Sequence, residues 1–370
     1  MLLYYKKTKE GFVVKKINSL TVLKFFAMFL IVWWHIGMPT RTIDLGARMC
    51  EFLFVASGFL VGYNYFKKGM PNTISFQFKY VFNKIKKIWP LHVFMLLAFM
   101  LLNYETCILG FTLNDVTIFL SNLFLLQAWS PDVGAVCFSY NGVSWFLSAL
   151  LFCYFLSPIF LRFIKNKRLT ITLFIVIAII RISIDLFISK GSNIFLLSTH
   201  TSPIVRSLEF FLGMLLVPSF CFLKEKLSLY KKKWLKILFT VIEISLLVSL
   251  YFILKGFNNL WQRSYFVLFF CFVIFIFAFD FGFFSCVCSN KYILKISDIQ
   301  LEVYLMQIIV STLIEQILIL MNVQLEFWWL FAIKVIALIV FSILYKIFLE
   351  NKIAKILEKG YLKVNAKNAK

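Results

Sequence analysis

The sequence predicts an all-α polytopic membrane protein with about ten transmembrane helices, one short re-entrant or interfacial segment, and both termini in the cytoplasm. Composition, the recurrence of apolar runs and the placement of cationic residues each point there. Of 370 residues, 61% are hydrophobic, 19% aromatic and only 15% charged, against roughly 45–50% apolar and 25% charged in soluble domains. A water-soluble fold cannot hide that much apolar surface. A helix needs about 20 apolar residues to cross the hydrocarbon core, and such runs recur at 20–38, 49–66, 88–106, 144–161, 169–189, 203–220, 237–254, 263–283, 297–320 and 327–349. Lys and Arg in short loops mark the cytoplasmic side. About 31 of the 39 lie in the N-tail, the 67–87, 162–168, 221–236 and 284–296 connections and the C-tail, or, as Lys24 and Lys346 do, at the cytoplasmic ends of spans. Only Arg41, Arg48, Lys190, Lys255 and Arg263 fall on the opposite side, with Arg181, Arg206 and Lys334 inside spans.

Lys6, Lys7, Lys9, Lys15 and Lys16 precede the first run as they would in a secretory leader. That run continues to about Met38, longer than a signal core, and no small-residue cleavage site follows. It is predicted to stay as the first span. In the second, "EFLFVASGFLVGYNYF" carries Ser57-Gly58, small residues that permit close helix contact. Before the third, "FNKIKKIWPLH" places Lys84 and Lys87 three apart, on one helical face, and Pro90 predicts a kink or irregular turn. The run from Val116 to Trp129 is too short to cross. Its flanks, 107–115 and 130–143, hold no Lys or Arg, so both are predicted external.

Arg181 and Asp185, four apart in the fifth span, read as a self-neutralising pair, and so do Arg206 and Glu209 at the outer start of the sixth. "ISDIQLEVYLMQ" opens the ninth with Asp298, Glu302, Tyr304 and Gln307 on or near one side. The organisation is a cytoplasmic N-tail (1–19), a single transmembrane domain (20–350) and a basic cytoplasmic C-tail (351–370). The net charge of +22 agrees with this topology and with anionic headgroups, so nucleic-acid binding is unnecessary. The eight cysteines show no metal-ligand spacing, and no metal is expected. Cys50, Cys107 and Cys137 are predicted external and open to oxidation, although most of the cysteines read as apolar fillers.

Chemistry has few candidates. His35 lies in "FFAMFLIVWWHIGMP" near the outer end of the first span. An ionisable group at membrane depth reads as functional, and an interfacial histidine beside Trp33 and Trp34 fits equally. Lys24 precedes it by eleven residues, which returns to nearly the same helical face about 16 Å away. That spacing suits a long, thin donor with phosphates at one end and a reactive group at the other; a snorkelling anchor is the alternative. Glu51 opens the second span externally, where it is placed to orient His35.

This set resembles the acyltransferase-3 family of membrane acyltransferases, which acylate bacterial surface glycans. "LKFFAMFLIVWWH" is similar to its first-span basic-to-histidine element, "LFVASGFLV" to its "FFxxSGFLL" element, and Lys84-x-x-Lys87-Ile88-Trp89-Pro90 to Arg-x-x-Arg-Ile-x-Pro. "WFLSALLFCYFLSP", "RSLEFFLGM" and "VYLMQ" come next in family order, across nearly the whole chain. Lysine stands for arginine at 24, 84 and 87, keeping charge but losing bidentate geometry. Gln307 stands where histidine is frequent, and Ala149 where some subfamilies carry an acid.

The resemblance implies acyl-CoA, expected to be acetyl-CoA, as donor, with Lys24, Lys84 and Lys87 holding its phosphates. His35 then serves as general base or acyl carrier, and Arg206 as an electrophilic or acceptor-positioning group. Asn141, Trp145 and Glu209 are expected to contact a glycan or lipid-linked saccharide acceptor at the plasma (inner) membrane. A homo-oligomer stays open. The alternative is an exporter or flippase of glycans or lipid-linked sugars, for which many spans and intramembrane charges are equally expected.

Overall fold

Long apolar helices make up most of the computed structural model, which describes residues 5–8, 11–14, 16–37, 44–66, 73–191, 198–227, 229–230, 232–256, 263–350 and 352. Arg41, most of the predicted C-tail and part of the 67–87 connection lie outside the described residues. Two four-residue strands, β1 (Tyr5–Thr8) and β2 (Gly11–Val14), pair antiparallel. They are a local addition to an all-α architecture.

The helices are α1 (Asn18–Val32), α2 (Leu45–Tyr65), α3 (Ile74–Leu102), α4 (Leu113–Leu123), α5 (Trp145–Phe163), α6 (Lys167–Ser189), α7 (Pro203–Leu215), α8 (Val217–Leu227), α9 (Lys232–Gly256), α10 (Arg263–Phe277), α11 (Phe283–Val287), α12 (Lys291–Ser297), α13 (Gln300–Leu320) and α14 (Phe327–Tyr345). Among the described residues, nine helical segments are long and apolar enough to cross a membrane, and Ser264–Phe277 is a shorter tenth. Every predicted span finds a helix.

Three of the boundaries that differ from the sequence reading have a local reason. α2 starts at Leu45, capped by Asp44, whose side chain accepts from Ala47 N at 3.4 Å. Arg48 therefore lies inside the helix, buried, and not in an external loop; Glu51, one turn on, meets it at 2.8 Å. α3 starts at Ile74, capped by Thr73, and runs unbroken through Pro90. Lys84 and Lys87 thus sit within the helix and not on its approach. α10 stops at Phe277, and a turn with Asp280 at φ 56° leads to the separate helix α11, whose Phe284 and Ser285 amides and Ser285 hydroxyl donate to Glu243 of α9.

The short run forms α4, whose 11 residues span about 16 Å, half the hydrocarbon thickness. α3 holds its C-terminal end: Trp89 Nε1 donates to Leu123 O, and His92 Nε2 pairs with Asn122 O, both at 2.8 Å. His92 is thereby occupied in packing.

α2 lies at the centre, with 94% of its apolar window buried, against α1, α5, α7 and α10. It meets α7 backbone to backbone. A Cβ on Gly58 would lie 1.8 Å from Phe210 O, and one on Gly213 2.0 Å from Val55 O. This is the close approach that Ser57-Gly58 predicts, with Gly213 as its partner. Gly213→Ala is expected to cost about 1–3 kcal/mol by overpacking, read as a lower thermal midpoint of the full chain in detergent.

Candidate functional site

Lys24, Lys84 and Lys87 converge on one cavity of about 260 Å³. α1 contributes Lys24 and Met28, α3 both other lysines, α2 Ser57, α5 Tyr154 and α13 Gln300 and Tyr304. Among the described residues, no acidic side chain lines it. Lys24 and Lys84 are close enough to repel one another, as are Lys84 and Lys87. The Lys84 ammonium also lies 4.9 Å from the ring centre of Tyr154 and 5.3 Å from that of Tyr80, which fixes an otherwise flexible side chain. Crowded cations without a counter-charge make a receptor for a polyanion.

His35 lies beyond this cavity, on a π turn (Trp33–Gly37) that continues α1. An extra residue in the turn rotates the downstream side chains relative to a regular helix, so the eleven-residue count alone does not set the direction of the ring. Packing does. Trp33 rests on Phe331 and Trp328 of α14, with ring centres 4.7 and 6.0 Å away. Trp34 meets the imidazole edge to face at 4.8 Å. His35 Nδ1 then lies 3.1 Å from Gln307 Oε1 on α13. Gln300, Tyr304 and Gln307 share one face of α13 at helical spacing, so the wall that lines the lysine cavity reaches His35 within one further turn.

The remaining predicted residues assemble differently. Glu51 turns to Arg48 through both carboxylate oxygens, at 2.8 and 3.1 Å; the group that meets His35 Nδ1 is Gln307. Arg206, fully buried, donates to Glu209 at 2.6 Å, Thr199 O at 2.9 Å and His200 O at 2.8 Å. Glu209 also accepts from Arg181 at 3.2 Å, Arg181 pairs with Asp185, and Asp185 accepts from Ser264 N at 2.6 Å. The two self-neutralising pairs read from the sequence are thus one chain of charge joining α6, α7 and α10. Asn141 donates to Leu305 O at 2.8 Å. Trp145 has the His200 ring 4.8 Å from its own and the Arg206 guanidinium 5.8 Å away.

A family model described as an acyltransferase domain, acyltransferase-3, matches residues 17–347. The chain belongs to the acyltransferase-3 family. No curated protein and no solved structure matches it.

In this acyltransferase, sequence reasoning placed three lysines that the fold does bring together. It missed His200, Arg181's link to Glu209, and the partnership of Gln307 with His35. The signal available for Gln307 was its position on the same α13 stripe as Tyr304. Cys50, Cys107 and Cys137 of the acyltransferase are free thiols.

Proposed function

We propose that the acyltransferase moves an acyl group, acetyl, from cytoplasmic acyl-CoA to a hydroxyl of a cell-surface or lipid-linked glycan at the plasma membrane. The observation that carries this reading is the cavity of Lys24, Lys84 and Lys87, which no acidic side chain lines among the described residues and whose α13 wall continues to Gln307 and His35. Phosphates of the donor match three ammonium groups, and the slender pantetheine arm suits passage along the α13 face past Tyr304. A sugar hydroxyl is a poor nucleophile until its proton is taken, and neutral imidazole is well matched to that task near neutral pH. His35 takes the proton as the hydroxyl oxygen attacks the thioester carbonyl.

Asn141 and Trp145, packed around Tyr304 and the His200 turn, form the acceptor side. Arg206 acts through that turn: gripping the carbonyls of Thr199 and His200, it holds the His200 ring against Trp145. Glu51 and Glu209 complete the charged frame beneath.

The test is transfer from labelled acetyl-CoA to extracted surface glycan by membranes. Lys84→Ala and Lys87→Ala are each expected to raise the KM for acetyl-CoA about tenfold, the scale of one lost charge-assisted hydrogen bond, with a much smaller change in kcat. An unchanged donor KM in both variants would remove the phosphate-binding assignment.

A further inference from the structure

A neutral imidazole has one nitrogen that donates and one that accepts, and the partner of the first decides which is which. Gln307 is that partner for His35. It is fully buried on α13, and its Nε2 donates to the Tyr304 carbonyl at 2.8 Å. A carbonyl only accepts, so turning the amide over would set oxygen against oxygen. Oε1 therefore faces His35 Nδ1, 3.1 Å away, and an amide oxygen also only accepts. Nδ1 must carry the hydrogen, and the lone pair resides on Nε2.

We infer that Gln307 is the positioning residue that fixes the reactive tautomer of His35, making Nε2 the atom that takes the acceptor's proton. This rests on the proposed role of His35 as base. In the transfer step, Nε2 receives the hydroxyl proton while a C–O bond forms to the acyl carbon, and the C–S bond to CoA breaks. The imidazolium then gives that proton to the departing thiolate, returning CoA-SH and the Nδ1–H ring. Gln307 gains and loses nothing. Its neutral oxygen accepts from Nδ1–H throughout and bonds most strongly while the ring is cationic, yet it lacks the full charge that would trap the imidazolium. The edge contact from Trp34 at 4.8 Å restrains the same ring from a second direction.

The chain holds three histidines, so nitrogen-15 labelling of histidine in the full chain, in lipid, gives three imidazole signal sets. Those of His35 are the ones missing from His35→Ala. The expected wild-type spectrum has neutral His35 protonated at Nδ1, measured without turnover. Gln307→Met, of similar length but unable to accept, is expected to populate the other tautomer. Its kcat should fall roughly 10–100-fold, the range for removing a group that orients a functional imidazole. Gln307→Glu keeps an acceptor toward Nδ1 and loses the donor to Tyr304, so it is expected to retain the Nδ1–H form and more rate than Gln307→Met. A wild-type ring protonated at Nε2 overturns the inference, and so does equal loss in both variants with the tautomer unchanged. Transfer that survives in His35→Ala instead overturns the proposed function, whatever the tautomer.

Discussion

Replacing His35 with alanine is expected to lower acyl transfer by about 10²–10⁴-fold, the usual contribution of a positioned general base, with KM for the donor nearly unchanged. The split comes from placement. The lysines that suit the donor line a cavity to which His35 does not contribute, while the imidazole sits one turn further along α13 against Gln307. Losing it therefore removes proton transfer and leaves the anion receptor standing. The fold should survive, since His35 is only half-buried and Trp33 keeps α1 seated on α14. The measurement is single-turnover transfer of labelled acetyl from acetyl-CoA, alongside donor titration, in membranes containing equal amounts of protein. Unchanged transfer sinks the assignment of the base, and a donor KM that rises in step with the loss would mean that His35 belongs to the donor receptor.

The spans and the Lys84–Lys87 pair were legible because they depend on local patterns, whereas Lys24 joined that pair only through the family resemblance. Apolar length announces a crossing helix, and the Lys84–Lys87 spacing gives a shared face because α3 already begins at Ile74. Ser57-Gly58 likewise announces a close contact, although not that Gly213 supplies the other side. The pairing of His35 with Gln307 was not legible, since 272 residues separate them and the ring's direction depends on a π turn that no composition rule marks. Arg48 was misread for a related reason. Hydropathy starts a span after the last charge, yet a helix capped by Asp44, with Arg48 paired to Glu51 one turn on, begins four residues earlier. Glu209 illustrates the limit of i,i+3 reasoning: spacing within α7 gives its partner Arg206, but only the packing of α6 adds Arg181.

Glu209 is also where an acceptor-binding role and an architectural one part most sharply. Its carboxylate accepts from Arg206 at 2.6 Å and from Arg181 at 3.2 Å, with all three side chains almost wholly shielded. Together with Asp185 they form two cations and two anions that cancel, which is how charge persists at membrane depth. Glu209→Ala leaves Arg206 without its carboxylate and Arg181 with Asp185 alone, and breaking a buried pair by removing one partner costs about 3–5 kcal/mol. The expected result is a large drop in the thermal midpoint of the full chain in detergent. Glu209→Gln should fall between, because its oxygen still accepts from one arginine while its amide N–H confronts the other. Arg206→Lys should also destabilise, since a single ammonium cannot reproduce the fork that holds Glu209, Thr199 O and His200 O together. If Glu209 instead served the acceptor directly, the midpoint would stay near wild type in all three variants and only the KM for glycan would rise. The geometry favours the first outcome, because a carboxylate fully buried between two arginines is shielded from a sugar hydroxyl. The contribution of Glu209 to transfer would then run through α7 and the His200 turn, and loss of activity in Glu209→Ala should track loss of folded protein at each temperature.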